Sequence, residues 1–330
     1  MPNMKQFKHL NATSIADASA KLAANPQSAV IAGGTDLLGV IKSDIIPDFP
    51  QTVVNLKTIP NLDYIKEESG VLKIGPLARV IDVANNATVK GGYSLLSTAA
   101  SRVSSTTLRT MGTIGGNLCQ RVRCWYYRYP NEFGGRIFCF RKGGQLCFAV
   151  PGDNRFHSIL SGQVCFAPFP SDTAVAISAL NGKIITNKKP AGISIDDFYI
   201  VLGNVLAQDE IITEIQIPKP AASVKQYFYK QAYRRAIDWA LVSVAAAIDV
   251  QSGTVASSRI TLGAVAPIPY RATGAENAIK GKAISDAVAT TAGNAAVADA
   301  FPLNANPPKS PGNAYKVQIA KTLVKRAILA

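Results

Sequence analysis

The chain reads as an α+β protein of more than one domain, and three features of its sequence predict this. Its 330 residues exceed the usual size of a single domain, and 48% of them are apolar, enough for a substantial core. Strand-like and helix-like segments interleave before residue 118 and again after residue 170, whereas the C-terminal part runs as three strands followed by Ala-rich helices. Between them, residues 118–167 lose apolar periodicity and read as an inserted loop.

A helical stretch from Ile15 to Ala24 leads to a strand from Ser28 to Ala32, a turn at Gly33 and Gly34, and a helix start at Asp36, a candidate N-cap. Thr52 to Leu56 and Val71 to Gly75 read as strands, with Asn61, Leu62, Glu67 and Glu68 marking the turns between them. Helix-prone segments follow from Ile81 to Ala87 and from Ser94 to Ser105, leading into a second glycine loop, Gly112-Thr113-Ile114-Gly115-Gly116-Asn117. Past the irregular stretch, Asp172 precedes a helix from Thr173 to Leu180, and Asn181-Gly182 makes a tight turn.

Glu210 to Pro218 alternates as a strand, and Pro218 with Pro220 marks a boundary. Tyr227 to Tyr233, Ala240 to Val250 and Ser258 to Val265 then read as strands. Pro302, Pro307, Pro308 and Pro311 interrupt the chain before a last helix from Asn313 to Leu329, where Val317, Ala320, Val324, Ala327 and Ile328 recur at helical spacing.

The formal charge is +14, yet Lys and Arg are spread along the chain without a polybasic tract, so nucleic acid is not the expected partner. One local excess stands out: Arg102, Arg109, Arg121, Arg123, Arg128, Arg136, Arg141 and Lys142 face only Glu132. Such a field suits a partner surface or an anionic prosthetic group. No apolar run is long enough to span a bilayer, and the opening residues carry no signal-peptide core, which leaves attachment to an exported partner as the route out of the cytoplasm.

Glycine lets backbone amides approach a pyrophosphate closely, and two loops here offer that chemistry. The first, Ile31-Ala32-Gly33-Gly34-Thr35-Asp36-Leu37-Leu38, is not a P-loop, because Val40 and Ile41 stand where Lys and Ser or Thr are required after Gly39. GxGxxG is absent, which disfavours a Rossmann site. The wording AGGTDLL together with MGTIGGNL resembles the two flavin-diphosphate loops of the FAD-binding subunits of molybdenum hydroxylases, the family of xanthine dehydrogenase, aldehyde oxidase and carbon monoxide dehydrogenase. The resemblance continues in order through Ser171-Asp172, DEIITEIQIP at 209–218, YKQAYRRAIDWALVSVAAAI at 229–248 and NAYKVQIAKTLVKRAIL at 313–329.

The resemblance implies a two-subdomain FAD-binding domain of the vanillyl-alcohol-oxidase/molybdenum-hydroxylase type over residues 1–222, divided near residue 60. It also implies a C-terminal α+β domain over 223–330, like that of the carbon monoxide dehydrogenase flavoprotein. By the same resemblance, Val30, Ile31, Ala32, Gly33, Gly34, Thr35, Asp36, Leu37 and Leu38 would hold the pyrophosphate and ribose together with Thr110, Gly112, Thr113, Ile114, Gly115 and Asn117. Asp172 would bind the adenine-side ribose or nearby polar groups, Ile212 would pack on the isoalloxazine, and Lys230 would sit beside the flavin, where an ammonium favours the reduced, more negative ring.

All five cysteines, Cys119, Cys124, Cys139, Cys147 and Cys165, fall in the irregular stretch. An odd count in a chain of this size argues against a disulfide scaffold and leaves metal or cluster ligation. Paired CxxC spacings typical of structural zinc are missing; from Cys124 onward 14, 7 and 17 residues intervene. Four thiolates can hold a [4Fe–4S] cube, and the arginines would raise the potential of such an anion. A subgroup of the family that includes bacterial periplasmic aldehyde oxidoreductases has an insertion of this form, matched here by RCWYYR and GDNRFHSIL. That match implies Cys124, Cys139, Cys147 and Cys165 as ligands, with Cys119 a spare thiol and His157 structural.

Nothing in the chain offers a nucleophile–base pair for hydroxylating a carbonyl. The resemblance therefore implies an electron-relaying FAD subunit of a heterotrimeric aldehyde oxidoreductase, exported to the periplasm with a signal-bearing partner. A large molybdopterin subunit would oxidise the substrate, and a small subunit would carry two [2Fe–2S] clusters. The alternatives are a 4-hydroxybenzoyl-CoA reductase-like or xanthine dehydrogenase-like flavin subunit, a self-contained flavoenzyme, and a zinc-binding interaction module.

Overall fold

A computed structural model describes residues 5–234, 236–305 and 310–330. Pro307 and Pro308, two of the prolines expected to interrupt the chain, lie outside these residues, as do residues 1–4 and Arg235.

The N-terminal unit is a three-stranded parallel sheet. Thr52–Asn55 runs down its middle between Lys8–Asn11 and Ser28–Ile31, so all four of its residues are buried. The helix Ile15–Ala23 covers one face with Ala18 and Leu22. Its start is set by Ser14, whose hydroxyl accepts from the Asp17 N–H at 3.0 Å.

The second sheet is antiparallel, in the order Ile65–Glu68, Val71–Ile74, Ile212–Pro218, Lys183–Thr186 and Ile193–Ser194. Glu67 and Glu68, expected at a turn, belong instead to its outer strand. The reversal occurs at Ser69 and Gly70, both at positive φ, and Glu68 is neutralised by Lys66 and Lys73 at 2.7 and 2.9 Å. The helix expected over 94–105 stops at Ser101. Ser104 takes a φ of +44°, and Ser105 caps a separate short helix, Thr106–Met111.

The C-terminal unit pairs Val224–Gln231, Val242–Gln251, Thr254–Gly263 and Tyr270–Arg271 in an antiparallel sheet. The helices Thr273–Ile279 and Tyr315–Leu329 pack on it, and Asp286–Ala295 buries Ala289 and Ala292 against those two helices. The helix Asp172–Ala179 has all eight residues buried because it packs on helix Ser94–Ser101 and on three strands of the third sheet at once. Residues 119–170 contain one turn of 3-10 helix, Phe140–Lys142, and are otherwise irregular, as expected of an insertion.

Candidate functional site

Strand Ser28–Ile31 delivers its following residues to the mouth of a cleft, where Gly34 adopts a φ of +72° that turns the chain into helix Leu37–Lys42. No acceptor among the described residues takes the N–H groups of Gly33, Gly34 or Thr35, so they remain available for an anion. The second loop touches the first: a Cβ added to Gly33 would lie 2.1 Å from the Met111 carbonyl oxygen.

The second loop spends its own amides on the framework. Ile114 donates to Ala78, Gly115 to Pro76 and Gly116 to the Thr113 hydroxyl. The two loops thus divide the work, with free donors in one and a rigid backing in the other.

Val30 through Leu37, Gly112, Thr113, Gly115, Asn117 and Ile212 line this cleft of about 460 Å³. Leu38 packs beside Gly34 without lining it. Thr110 turns its hydroxyl back onto the Thr107 carbonyl. Ile114 holds its loop in place: its side chain is wholly buried in the core and its N–H is already bonded to the Ala78 carbonyl.

Asp36 stands at the expected N-cap position but caps nothing. Its carboxylate instead accepts from the Arg121 N–H at 2.8 Å, from Arg128 at 2.6 Å and from Arg123 at 2.9 Å. Burial opposes its ionisation, yet the two guanidinium groups hold it below the usual carboxylate range. Burial pushes Arg123 down to about 10, and its guanidinium lies 4.3 Å from the Trp239 ring centroid. Neither Arg123 nor Trp239 stood out in the sequence as a cleft residue, although Arg123 opens RCWYYR.

Asp172 and Lys230 meet away from the glycine loops. Lys230 Nζ lies 2.7 Å from the Asp172 carboxylate and 2.9 Å from the Arg102 carbonyl, and both side chains of the ion pair are 7% exposed. The ammonium is therefore tied to a carboxylate and a backbone carbonyl. Asp172 lines a second cavity of about 470 Å³, walled by Trp125, Phe156, Phe169 and Tyr233, which shares Arg123 and Trp239 with the first. Replacing Lys230 with Met would strand a buried carboxylate and is expected to cost about 3–5 kcal/mol, read as a drop in Tm, with partial recovery when Asp172→Asn is added.

Cys124, Cys139, Cys147 and Cys165 line one small cavity inside the insertion, all as free thiols, and Cys124 also borders the second cavity. Cys119 lies apart, in the cleft. Donors surround the cage: Arg141 Nε approaches Cys165 Sγ at 3.1 Å, and His157 Nε2 lies 3.2 Å from Cys124 Sγ. Burial pushes the Cys124 thiol up to about 12, partly offset by the N–H groups of Tyr127 and Tyr126. The protons on such thiols are ones that a metal would displace. A single zinc ion needs its sulfurs about 2.3 Å from one point, and no three His, Cys, Asp or Glu side chains among the described residues converge in that way.

The fold and the cleft define a class of protein: the chain belongs to the family of FAD-binding subunits of molybdenum hydroxylases. Residues 5–220 match the FAD binding domain in molybdopterin dehydrogenase, and residues 227–330 match the CO dehydrogenase flavoprotein C-terminal domain. The chain is 33% identical over 279 residues to the aldehyde oxidoreductase FAD-binding subunit PaoB of Escherichia coli K12, covering 81% of this chain and 84% of that one. To the glyceraldehyde dehydrogenase medium chain of Sulfolobus acidocaldarius it is 24% identical over 327 residues, 98% of this chain and 97% of the other. The carbon monoxide dehydrogenase of Hydrogenophaga pseudoflava superposes with a TM-score of 0.77 at 25% identity, over 99% of this chain and 97% of that one. These relatives are oxidoreductase subunits.

Proposed function

We propose that this chain is the electron-transferring flavin subunit of a heterotrimeric molybdenum-containing aldehyde oxidoreductase and that it holds one FAD and one [4Fe–4S] cluster. The observation that carries the reading is the arrangement of Cys124, Cys139, Cys147 and Cys165 around one cavity, with Cys124 bordering the space next to the cleft. Four thiolates around a cube stand on separate corners, so they need not converge on one point as zinc ligands do. The 33% identity to an aldehyde oxidoreductase subunit favours that enzyme over a xanthine dehydrogenase-like or 4-hydroxybenzoyl-CoA reductase-like assembly.

FAD would supply two-electron chemistry interconvertible with single-electron steps. The chain's own part is positional. Gly33, Gly34 and Thr35 offer free amides to the diphosphate, and Ile212 gives the cleft an apolar wall. Asp172 and Lys230 supply a neutral, fixed ion pair beside the second cavity. A large molybdopterin subunit would act on the substrate, a small [2Fe–2S] subunit would feed electrons in, and co-export with a signal-bearing partner would place the assembly in the periplasm.

Denaturing the assembly purified with its partners should release about one FAD per copy of this chain, as expected of one dinucleotide site. An assembly that yields no flavin overturns the reading.

A further inference from the structure

At the start of the last helix, Lys316 is fully buried, and among the described residues no carboxylate pairs with it. Its Nζ meets three backbone carbonyls, those of Phe156 at 3.2 Å, His157 at 3.0 Å and Ala264 at 2.5 Å. Burial alone pulls this lysine down to about 7. Three acceptors nevertheless call for three N–H donors, and only the ammonium has three.

One turn earlier, Asn313 is also fully buried. Its Nδ2 donates to the carbonyls of His157 at 3.0 Å and Ser158 at 3.1 Å, while its Oδ1 accepts from the Leu303 N–H at 2.7 Å. Two side chains from the C-terminal unit therefore grip the same peptide of the insertion from 156 to 159 residues away.

That peptide carries the imidazole that faces the cysteine cage. His157 is 2% exposed, its Nε2 lies 3.2 Å from Cys124 Sγ, and its Nδ1 has no partner. As a cluster ligand Cys124 would be a thiolate, which accepts and does not donate, so the ring proton would belong on Nε2. The rings of Trp125 and Tyr126, with centroids 5.7 and 6.0 Å away, limit the rotation of the imidazole, which leaves its placement to the backbone that Asn313 and Lys316 hold.

We infer that Asn313 and Lys316 are positioning residues for His157, and that the hydrogen bond from His157 Nε2 to the Cys124 sulfur raises the reduction potential of the iron–sulfur cluster. The inference rests on the cluster reading proposed above. A donor aimed at a ligand sulfur stabilises the more negative, reduced cluster over the oxidised one. The C-terminal unit thereby takes part in setting how readily the insertion accepts an electron.

The test is a redox titration of the cluster followed by electron paramagnetic resonance on the complete assembly, with iron, sulfide and FAD counted in the same samples. His157→Phe keeps a ring and removes the donor. It should lower the midpoint potential by roughly tenfold in the reduction equilibrium, about 59 mV for one electron, with iron and flavin retained. His157→Gln, which restores an N–H near the Nε2 position, should return the potential towards the native value. Asn313→Ala should shift it in the same direction as His157→Phe and by less.

An unchanged potential in both His157→Phe and Asn313→Ala, each with a full cluster, overturns the inference. Should His157→Phe not assemble, the pair His157→Gln and Asn313→Ala decides: potentials equal to the native one in the alanine variant refute the positioning role. Native protein that holds FAD but neither iron nor sulfide would instead remove the cluster reading beneath it.

Discussion

Cys139→Ala is expected to strip the insertion of its iron, about four iron atoms and four sulfides per chain, while the flavin stays bound. Cys139 is held in a tight turn in which its carbonyl accepts from the N–H groups of Lys142 at 2.7 Å and Gly144 at 3.0 Å. Cys119 lies in the cleft outside the cage. Metal binding contributes directly to folding where regular structure is sparse, and one 3-10 turn is all that residues 119–170 have. The variant should therefore also be cut faster by chymotrypsin near the exposed Phe133 and Phe138. Cys119→Ala provides the contrast, with iron, sulfide and protease resistance at native levels. Iron content untouched by Cys139→Ala would assign the four cysteines to something other than a cluster.

What the sequence made legible was local chemistry. An apolar strand running into Gly33-Gly34 announces its own turn, and an alternating segment such as 210–218 announces a half-buried strand. Lys8–Asn11 did not show itself, since KHLN carries one apolar residue; it is a strand because Thr52–Asn55 presents a parallel edge to it. Glu67 and Glu68 look like turn residues until Lys219 is seen beside the first and Lys66 and Lys73 beside the second.

The site divides in the same way. The clustering of cysteines is visible in one dimension, whereas their convergence on one cavity belongs to the fold. Asp36 finds partners 85 and 92 residues away, and Lys230 finds its carboxylate 58 residues back, distances over which no spacing rule operates. Ile114 shows the same limit: inside a glycine loop its spacing says nothing of packing, yet its side chain anchors that loop to the core.

These long-range pairings link the first glycine loop to the cysteine-lined cavity. Asp36, in the first glycine loop, accepts from Arg123, and Arg123 precedes Cys124 in the chain, so one ion pair and one peptide bond separate the loop from the first of the four cysteines. Trp239 stacks on the same guanidinium and borders both cavities. A partly buried pair of this kind is less screened by salt than a surface pair, so the coupling should persist at ionic strengths that loosen the exposed Arg234–Asp238 contact.

The place where the loops themselves meet should be the most sensitive point for the flavin. Gly33→Ala introduces a methyl group 2.1 Å from the Met111 carbonyl oxygen and 3.0 Å from the Gly112 Cα, both backbone atoms without freedom to rotate away. The loops must part, the free amides of Gly33, Gly34 and Thr35 turn away from a common point, and the rigid backing of Gly112 to Asn117 moves with them. FAD retention is expected to fall at least tenfold, equivalent to about 1.4 kcal/mol, measured as flavin absorbance per protein after gel filtration, with iron content close to native. Gly39→Ala, six residues on in helix Leu37–Lys42 with nothing within 4 Å of the new methyl, separates steric closure from the mere loss of a glycine. It should bind FAD normally and gain about 0.5–1 kcal/mol of stability from reduced backbone freedom. Equal flavin retention in the two variants would mean that the diphosphate is held elsewhere than between these loops.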